Sequence, residues 1–179
     1  MKKIKSRFAI IALTTMMLFT ACDSTGSITK ESSNNSQTSE ATDEPKEETF
    51  KQGETAVFEN LKITVNSIET SKGSEYNTPK DGNVFVGIKI TVENISDEEE
   101  NISSMLLFDA YADDVKTDLS ISAGMEFDEG TLDGALSPGK KLIGYYGLEV
   151  PSNTAKIDLE VKSSWLSDSK ATFELTVPA

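Results

Sequence analysis

The sequence predicts an all-β fold, an antiparallel β-sandwich of about seven or eight strands. From Thr55 onward, apolar residues recur at every second position, which is typical of strands that bury one face. Turn-forming residues separate these runs, and no segment longer than ten residues keeps the apolar stripe of a helix. Because each sheet would bury only one face, two sheets are expected to pack against each other.

The strands are predicted in chain order from these runs. Ile63 and Val65 anchor the first strand, which is expected to pair with the segment at Val57 and Phe58. The clearest run covers residues 83–94 and directs five β-branched residues to one face. The further predicted strands are residues 105–112, 142–150, 156–162 and 171–177. On the 142–150 strand, the adjacent Tyr145 and Tyr146 must face opposite ways, so one is expected to be buried.

Two turns are predicted where proline and glycine occur together. The segment PKDG at residues 79–82 precedes the 83–94 strand, and LSPG at residues 136–139 precedes the 142–150 strand. Proline presets the backbone angle of a tight turn, and glycine adopts the positive φ that such turns require.

The N-terminal segment has the features of a bacterial export signal. Its first seven residues include four basic side chains, and residues 8–19 form an uncharged apolar stretch. That stretch is too short to span a bilayer, which needs about 20 residues. The LFTA sequence at residues 18–21, together with Cys22, resembles a lipobox. The third residue before the cysteine is Phe19, where a lipobox favours leucine, valine or isoleucine. We predict cleavage of the signal peptide 1–21 and lipidation of Cys22; the alternative is a chance cysteine behind an ordinary signal.

Residues 22–49 are predicted to be a disordered tether between the lipid and a folded domain at 50–179. Serine, threonine and asparagine occupy 13 of the 27 positions from Asp23 to Thr49, and Ile28 is the only large aliphatic residue. Such a segment cannot bury enough apolar surface to offset the entropy lost on ordering. Fully extended, it would span roughly 90 Å.

The charge of the chain excludes some classes of partner. The net charge is −13, and loss of the four basic residues of the signal makes it −17. A strongly acidic surface repels phosphate groups, so no nucleic-acid partner is expected. With no cysteine after residue 22, the domain has no disulfide and depends on its apolar core.

The order of these motifs resembles an immunoglobulin-like domain family of unknown function. The resemblance covers roughly residues 50–178 and rests on the strand at 58–68, GNVFV at 82–86, ITVEN at 90–94, SDE at 96–98, LSPG at 136–139 and EVP at 149–151. This family is common in lipoproteins of Gram-positive bacteria and is similar in fold to a secreted mycobacterial immunogenic antigen. The resemblance implies an immunoglobulin-like sandwich on the extracytoplasmic face of the cell membrane, without a settled activity.

Catalysis is not expected, because the chain contains no histidine. This absence excludes Ser-His-Asp triads, Cys-His pairs and histidine zinc sites. The protein is therefore predicted not to be an enzyme. A hydrolase that uses paired carboxylates remains a distant alternative in a chain with 30 acidic residues.

Calcium is the one cofactor that the acidic residues suggest. Asp109, Asp113 and Asp114 lie close together in sequence, and strand alternation places Asp109 and Asp113 on one face near a turn. Calcium binds several carboxylate and carbonyl oxygens. The alternative is a solvated face that ends in an ordinary turn, so we expect no cofactor and keep a calcium-binding structural module as the second hypothesis.

Two aromatic residues are the candidate binding anchors. Trp165 lies near the last predicted hairpin, where it either packs at the edge of the sandwich or projects towards a partner. Tyr76 lies in the polar stretch 71–82, which is predicted to be a loop. The sequence thus predicts a non-catalytic module, bound to the membrane by its lipid, that engages an unknown protein or a cell-envelope component.

Overall fold

The computed structural model describes residues 28–31, 48–127, 130, 132–164, 166 and 169–179, and these residues form a β-sandwich. The first sheet has the order β1 (Thr29–Glu31), β3 (Thr55–Val57), β4 (Leu61–Ser71), β5 (Asn83–Asn94) and β10 (Lys141–Pro151). The second has the order β2 (Glu48–Lys51), β12 (Lys170–Thr176), β11 (Lys156–Lys162), β7 (Phe108–Ala112) and β8 (Val115–Thr117). A small third sheet joins β6 (Glu100–Ile102) to β9 (Gly134–Leu136).

The predicted antiparallel sandwich is confirmed, with one parallel pair and more strands than expected. Among the described residues, β2 and β12 run parallel, and the other paired strands run antiparallel. Several of the additional strands have only three or four residues. Strands this short carry too few alternating positions for a period of two to reveal them.

The core lies between the two large sheets, where the alternating residues of both meet. In β5, four β-branched residues of the predicted face are buried in this core, and Val84 packs against it half-buried; Phe85 of the opposite face and the terminal Asn94 are also buried. Tyr146 of β10 crosses the core, with its ring centroid 5.6 Å from that of Phe108 and its hydroxyl donating to the Phe108 carbonyl. As predicted, one of the two adjacent tyrosines is buried: it is Tyr146, and Tyr145 lies on the outer face. Burial raises the pKa of Tyr146 to about 12.

The predicted strand 105–112 is wrong in its first part. Helix α1 (Ser104–Leu107) precedes β7, which begins at Phe108. The carboxylate of Asp133 accepts hydrogen bonds from the backbone N–H and the hydroxyl of Ser104, at 2.8 and 2.9 Å. This contact satisfies a donor of the first helical turn. It comes from a residue 29 positions away, which a local pattern cannot reveal.

Two short stretches of the predicted tether are strands in the structure. Residues 29–31 form β1, which pairs with β3, and residues 48 and 49 begin β2. Ile28 packs against the core, so the only large aliphatic side chain of the tether is placed on the domain. The other residues of the predicted tether and the signal peptide 1–21 lie outside the described residues. Within the described part of the chain, no helix has the length and apolar character needed to cross a membrane.

Candidate functional site

A short helix lies on the outer face of the first sheet, over a pair of glycines. Gly87 of β5 and Gly147 of β10 are cross-strand partners. A Cβ atom at Gly147 would come within 2.3 Å of the backbone nitrogen of Gly124 in helix α2 (Ile121–Glu126). At Gly87 it would come within 2.5 Å of the Phe127 ring. Helix α2 can approach the sheet this closely because neither strand carries a side chain there.

The start of α2 is fixed by Ser120. Its backbone N–H donates to the carbonyl of Gly147 at 2.8 Å, which attaches the chain to the edge strand β10. Its hydroxyl accepts from the N–H of Ala123 at 3.2 Å, an N-cap that satisfies a free donor of the first turn. Ala123 is buried against the sheet, so the helix has a defined inner side.

The end of α2 is held by stacked aromatic rings. Phe127 stacks on Tyr145 with 5.1 Å between the ring centroids and 23° between the ring planes. The Tyr145 hydroxyl donates to the Glu69 carboxylate at 2.8 Å, and the Lys89 ammonium lies 5.9 Å from the centroid of the same ring. Residues of β4, β5 and β10 therefore all contribute to holding this segment.

The loop 72–82 is fastened to α2 by polar contacts. The Glu126 carboxylate accepts from the Ser71 hydroxyl at 2.9 Å and from the Asn77 side-chain amide at 3.2 Å. The same Asn77 amide donates to the Ser122 carbonyl at 2.8 Å. The loop and the helix thus form one layer on the sheet.

A second carboxylate holds the far side of this loop. Glu149 of β10 accepts from the side-chain amide of Asn83 and from the backbone N–H of Lys80, both at 2.9 Å. These hydrogen bonds, first that of Asn83, hold the pKa of Glu149 below its usual range.

Three large apolar side chains project from this layer into solvent, and we call them the loop–helix surface. Tyr76 is 92% exposed, Ile121 69% and Met125 77%. Ile121 and Met125 are four residues apart in α2 and therefore lie on the same side of the helix. Tyr76 directly precedes Asn77, which is hydrogen-bonded to the same helix. Tyrosine and methionine are both enriched at protein interfaces.

The structure does not assemble the calcium candidates into an ion site. Asp109 pairs with the Lys116 ammonium at 2.8 Å, and this contact raises the pKa of the lysine. The Asp113 carboxylate accepts from the backbone N–H groups of Ala155 and Lys156, and Asp114 pairs with the Lys156 ammonium at 3.1 Å. Among the described residues, no three acidic, histidine or cysteine side chains converge as metal ligands.

These contacts give the two alternative functions no support. Ammonium and amide donors occupy the places beside the aspartates where a calcium site would need further oxygen ligands. The buried polar residues of the described part of the chain are Asn94, Ser104 and Thr154; Asp158 has one buried oxygen without a hydrogen-bond partner, and its other oxygen lies 3.0 Å from the Lys156 ammonium.

Sequence reasoning found one member of the loop–helix surface and missed the other two. Tyr76 was a candidate anchor, and it is the most exposed of the large apolar residues that are described. Ile121 and Met125 were missed because the segment between residues 112 and 136 has no strand alternation. The available signal was Ser120 as an N-cap followed by apolar residues four apart. Two further predicted sites, Cys22 and Trp165, lie outside the described residues.

Comparison with solved structures finds the same sandwich in proteins of Gram-positive bacteria. A structure described as a "putative lipoprotein" of Bacillus subtilis has a TM-score of 0.55 and 16% identity, over 65% of this chain and 36% of that one. An uncharacterised β-sandwich protein of Clostridium difficile has a TM-score of 0.50 and 19% identity, over 76% and 99%. A conserved hypothetical protein of Bacillus anthracis has a TM-score of 0.52 and 16% identity, over 69% and 94%.

At these identities the likeness is one of fold. The chain spans little more than a third of the length of the Bacillus subtilis structure. No curated protein sequence matches the chain. The model of a domain of unknown function, DUF4352, matches residues 50–171, which is more than half of the chain. The chain therefore belongs to the DUF4352 family.

Proposed function

We propose that this protein is a non-catalytic binding module, anchored through a lipid on Cys22 to the extracytoplasmic face of a Gram-positive cell membrane. Its domain engages another protein or a cell-envelope component through the loop–helix surface. The signal-like segment, the lipobox-like sequence before Cys22 and the absence of histidine support this proposal. The expected similarity in fold to a secreted mycobacterial antigen agrees with an exported location and stays a prediction.

The observation that carries the proposal is the exposure of apolar side chains on a layer whose backbone is firmly held. Tyr76, Ile121 and Met125 are exposed, whereas the neighbouring Asn77 and Glu126 are tied to one another. An apolar group in water costs free energy, and contact with a partner recovers it. Because the layer is already ordered, a partner would not have to offset much further loss of entropy.

The outer face of the second sheet is less suited to this role. Its acidic side chains are paired with lysines: Asp109 with Lys116, Glu160 with Lys170, and Glu174 with Lys51. Charged pairs at a surface stay hydrated, and a partner that covered them would have to remove that water. Of these two faces, the loop–helix surface therefore offers the more favourable contact.

Site-specific photo-crosslinking on intact cells tests the proposed surface. A photoreactive amino acid is placed at Tyr76 or at Met125, and at Met105 as a matched control, because Met105 is 73% exposed but lies on helix α1. We expect positions 76 and 125 to crosslink to the same partner and so to give adducts of the same mass. Position 105 should give no adduct of that mass. Adducts of equal yield from all three positions, or none from 76 and 125, would contradict the proposal.

A variant experiment separates the surface from the fold. Exchange of Ile121 and Met125 for serine should abolish the adduct formed from position 76 while leaving the melting temperature almost unchanged, because both side chains are exposed. Exchange of Met105 for serine should leave the adduct in place. Persistence of the adduct in the Ile121→Ser, Met125→Ser variant would show that the partner binds elsewhere.

A further inference from the structure

We propose that β1 fastens the chain that leads to the anchor onto the edge of the first sheet, so that the domain stands close to the lipid bilayer in one orientation. The loop 72–82, which carries Tyr76, then lies at the end of the first sheet that points away from the bilayer. This inference rests on the anchoring at Cys22 in the proposed function. The pairing of β1 shortens the connection between the lipid and the domain from the 27 residues of the predicted tether to the six residue steps from Cys22 to Ile28.

The contacts of β1 are more than a backbone pairing. Thr29, Lys30 and Glu31 lie opposite Val57, Ala56 and Thr55 of β3. Ile28 packs against the core. The Lys30 ammonium lies 2.6 Å from the Glu54 carboxylate and 5.6 Å from the centroid of the Phe50 ring. Apolar contacts thus act on Ile28, and ionic and cation–π contacts act on Lys30, so the segment has side-chain contacts that hold it at this edge.

The position of β1 shortens the connection to the anchor. Cys22 and Ile28 are six residues apart in the sequence, and a fully extended chain of that length is roughly 20 Å long. If the domain began at Glu48 instead, 26 residue steps would separate it from the anchor, and the extended chain between them would be roughly 90 Å long. The pairing of β1 therefore reduces the greatest possible length of chain between the lipid and the domain about fourfold.

The direction of β1 decides which end of the sandwich faces the bilayer. Thr29, its first residue, lies opposite Val57, which in turn lies opposite Lys62. The same row continues through Glu93 of β5 to Lys141 of β10. We call this the anchor end. It also holds the turn at 137–140, where the N–H of Gly139 donates to the Asn94 carbonyl.

The loop 72–82 lies at the opposite end of the first sheet. It connects the last residue of β4, Ser71, to the first residue of β5, Asn83, whereas Asn94 ends β5 at the anchor end. A strand of 12 residues such as β5 is roughly 40 Å long. Tyr76 in this loop is thus separated from the anchor end by about the length of β5.

Fluorescence energy transfer to labelled lipids tests this orientation. Because Cys22 is the only cysteine, the chain from Cys22 onward can be coupled through it to maleimide lipids in phosphatidylcholine vesicles. A fluorescent amino acid is placed at Ser137, at the anchor end, or at Tyr76, and acceptor lipids are added to the bilayer. We expect clearly higher transfer from position 137 than from position 76. Equal transfer from the two positions would overturn the proposal.

A variant of β1 shows whether that strand causes the difference. Exchange of Ile28 for aspartate and Lys30 for glutamate places one acid against the apolar core and another beside Glu54. The two transfer efficiencies should then converge, while circular dichroism confirms that the sandwich is folded. Lys116→Glu, which reverses a charge on the second sheet, should leave the difference unchanged. A folded Ile28→Asp, Lys30→Glu variant that kept the full difference would overturn the role of β1.

The coupling makes this test independent of the anchor that cells would attach. If cells do not lipidate Cys22, the transfer experiment still reports whether β1 orients the domain, and only the proposed anchoring fails. If cells do lipidate Cys22 but the transfer efficiencies are equal, only the orientation fails.

Discussion

At the scale of single residues, Asp113 and Asp114 show how one turn combines strain with hydrogen bonding. Both have positive φ, 44° and 69°, in the two-residue turn between β7 and β8. Such turns favour glycine, because an L side chain is strained at positive φ. Asp113 offsets its strain by accepting two backbone hydrogen bonds, whereas Asp114 only pairs with an exposed lysine.

We expect Asp114→Gly to raise the free energy of unfolding by about 0.5 kcal/mol, because glycine relieves the strain and a surface ion pair contributes little. Urea unfolding measures this change. Asp113→Gly is the control, since it relieves similar strain but leaves the N–H groups of Ala155 and Lys156 without their acceptor. It should lower the free energy of unfolding by about 1 kcal/mol. Equal stabilisation by both exchanges would contradict this account of the turn.

Gly147 is the residue on which the position of α2 depends. A methyl group there would meet the backbone of Gly124 at 2.3 Å, so the helix would have to leave the sheet. We expect Gly147→Ala to lower the free energy of unfolding by about 2 kcal/mol or more, measured by thermal or urea unfolding.

Gly124 itself provides the matched control for that exchange. A Cβ atom at Gly124 would have no heavy atom within 4 Å, and alanine favours a helix by up to about 1 kcal/mol over glycine. Gly124→Ala should therefore be neutral or stabilising. Loss of stability in Gly124→Ala equal to that in Gly147→Ala would show that helix contacts, rather than the clash with the sheet, are responsible.

At the scale of elements, β1 is held by a contact that depends on pH. The hydrogen bond from Lys30 holds the pKa of Glu54 below its ordinary value of 4.5. A carboxylate with a lowered pKa stabilises the folded arrangement above its unfolded value, and it loses that contribution as the pH falls through the folded value. The attachment of β1 should therefore weaken as the pH drops below 4.5.

Nuclear magnetic resonance can follow this change through the amide signals of residues 29–31. We expect these signals to move towards values typical of an unpaired chain on acidification, while signals of β5 stay in place. Glu54→Gln is the control: it should weaken the attachment at neutral pH and remove most of the transition. An unchanged transition in Glu54→Gln would assign the effect to another carboxylate.

At the scale of the whole molecule, the proposed anchor has a direct genetic test. Cys22→Ala removes the only thiol of the chain. We expect this variant to appear in the culture medium or to remain unprocessed, whereas the unchanged protein stays with the membrane fraction. Ser24→Ala, two residues further on, is the control and should not change the distribution. Membrane retention of a cleaved Cys22→Ala product would contradict lipidation.

The sandwich itself was predictable because its long strands carry their own pattern. In β11 and β12, buried and outward-facing residues alternate as predicted, and in β5 they alternate from Ile88 onward, whereas Phe85 and Gly87 of its outer face are buried as well. Each such pattern is local, since neighbouring side chains of a strand point to opposite faces whatever their partners are. The same local reasoning correctly placed Asp109 on the outer face of β7, whereas Asp113, predicted on the same face, lies in the turn that follows the strand.

The candidate site was only partly predictable, because its parts are distant in sequence. Tyr76 could be proposed from composition, but nothing near it indicates that Asn77 meets Glu126, which lies 49 residues away. Gly87 and Gly147 appear in the sequence as interruptions of two strands. Only their position side by side shows that together they accommodate a helix.

By itself, the sequence determined the class of fold, the acidic charge, the absence of histidine chemistry and the features of an export signal. Each of these depends on composition or on a short local period. Only the tertiary structure decided that α2 covers the first sheet, that lysines pair with the suspected calcium ligands, and that β1 joins the edge of β3. These features arise from contacts between distant segments, whose free energy depends on the neighbours that folding brings together.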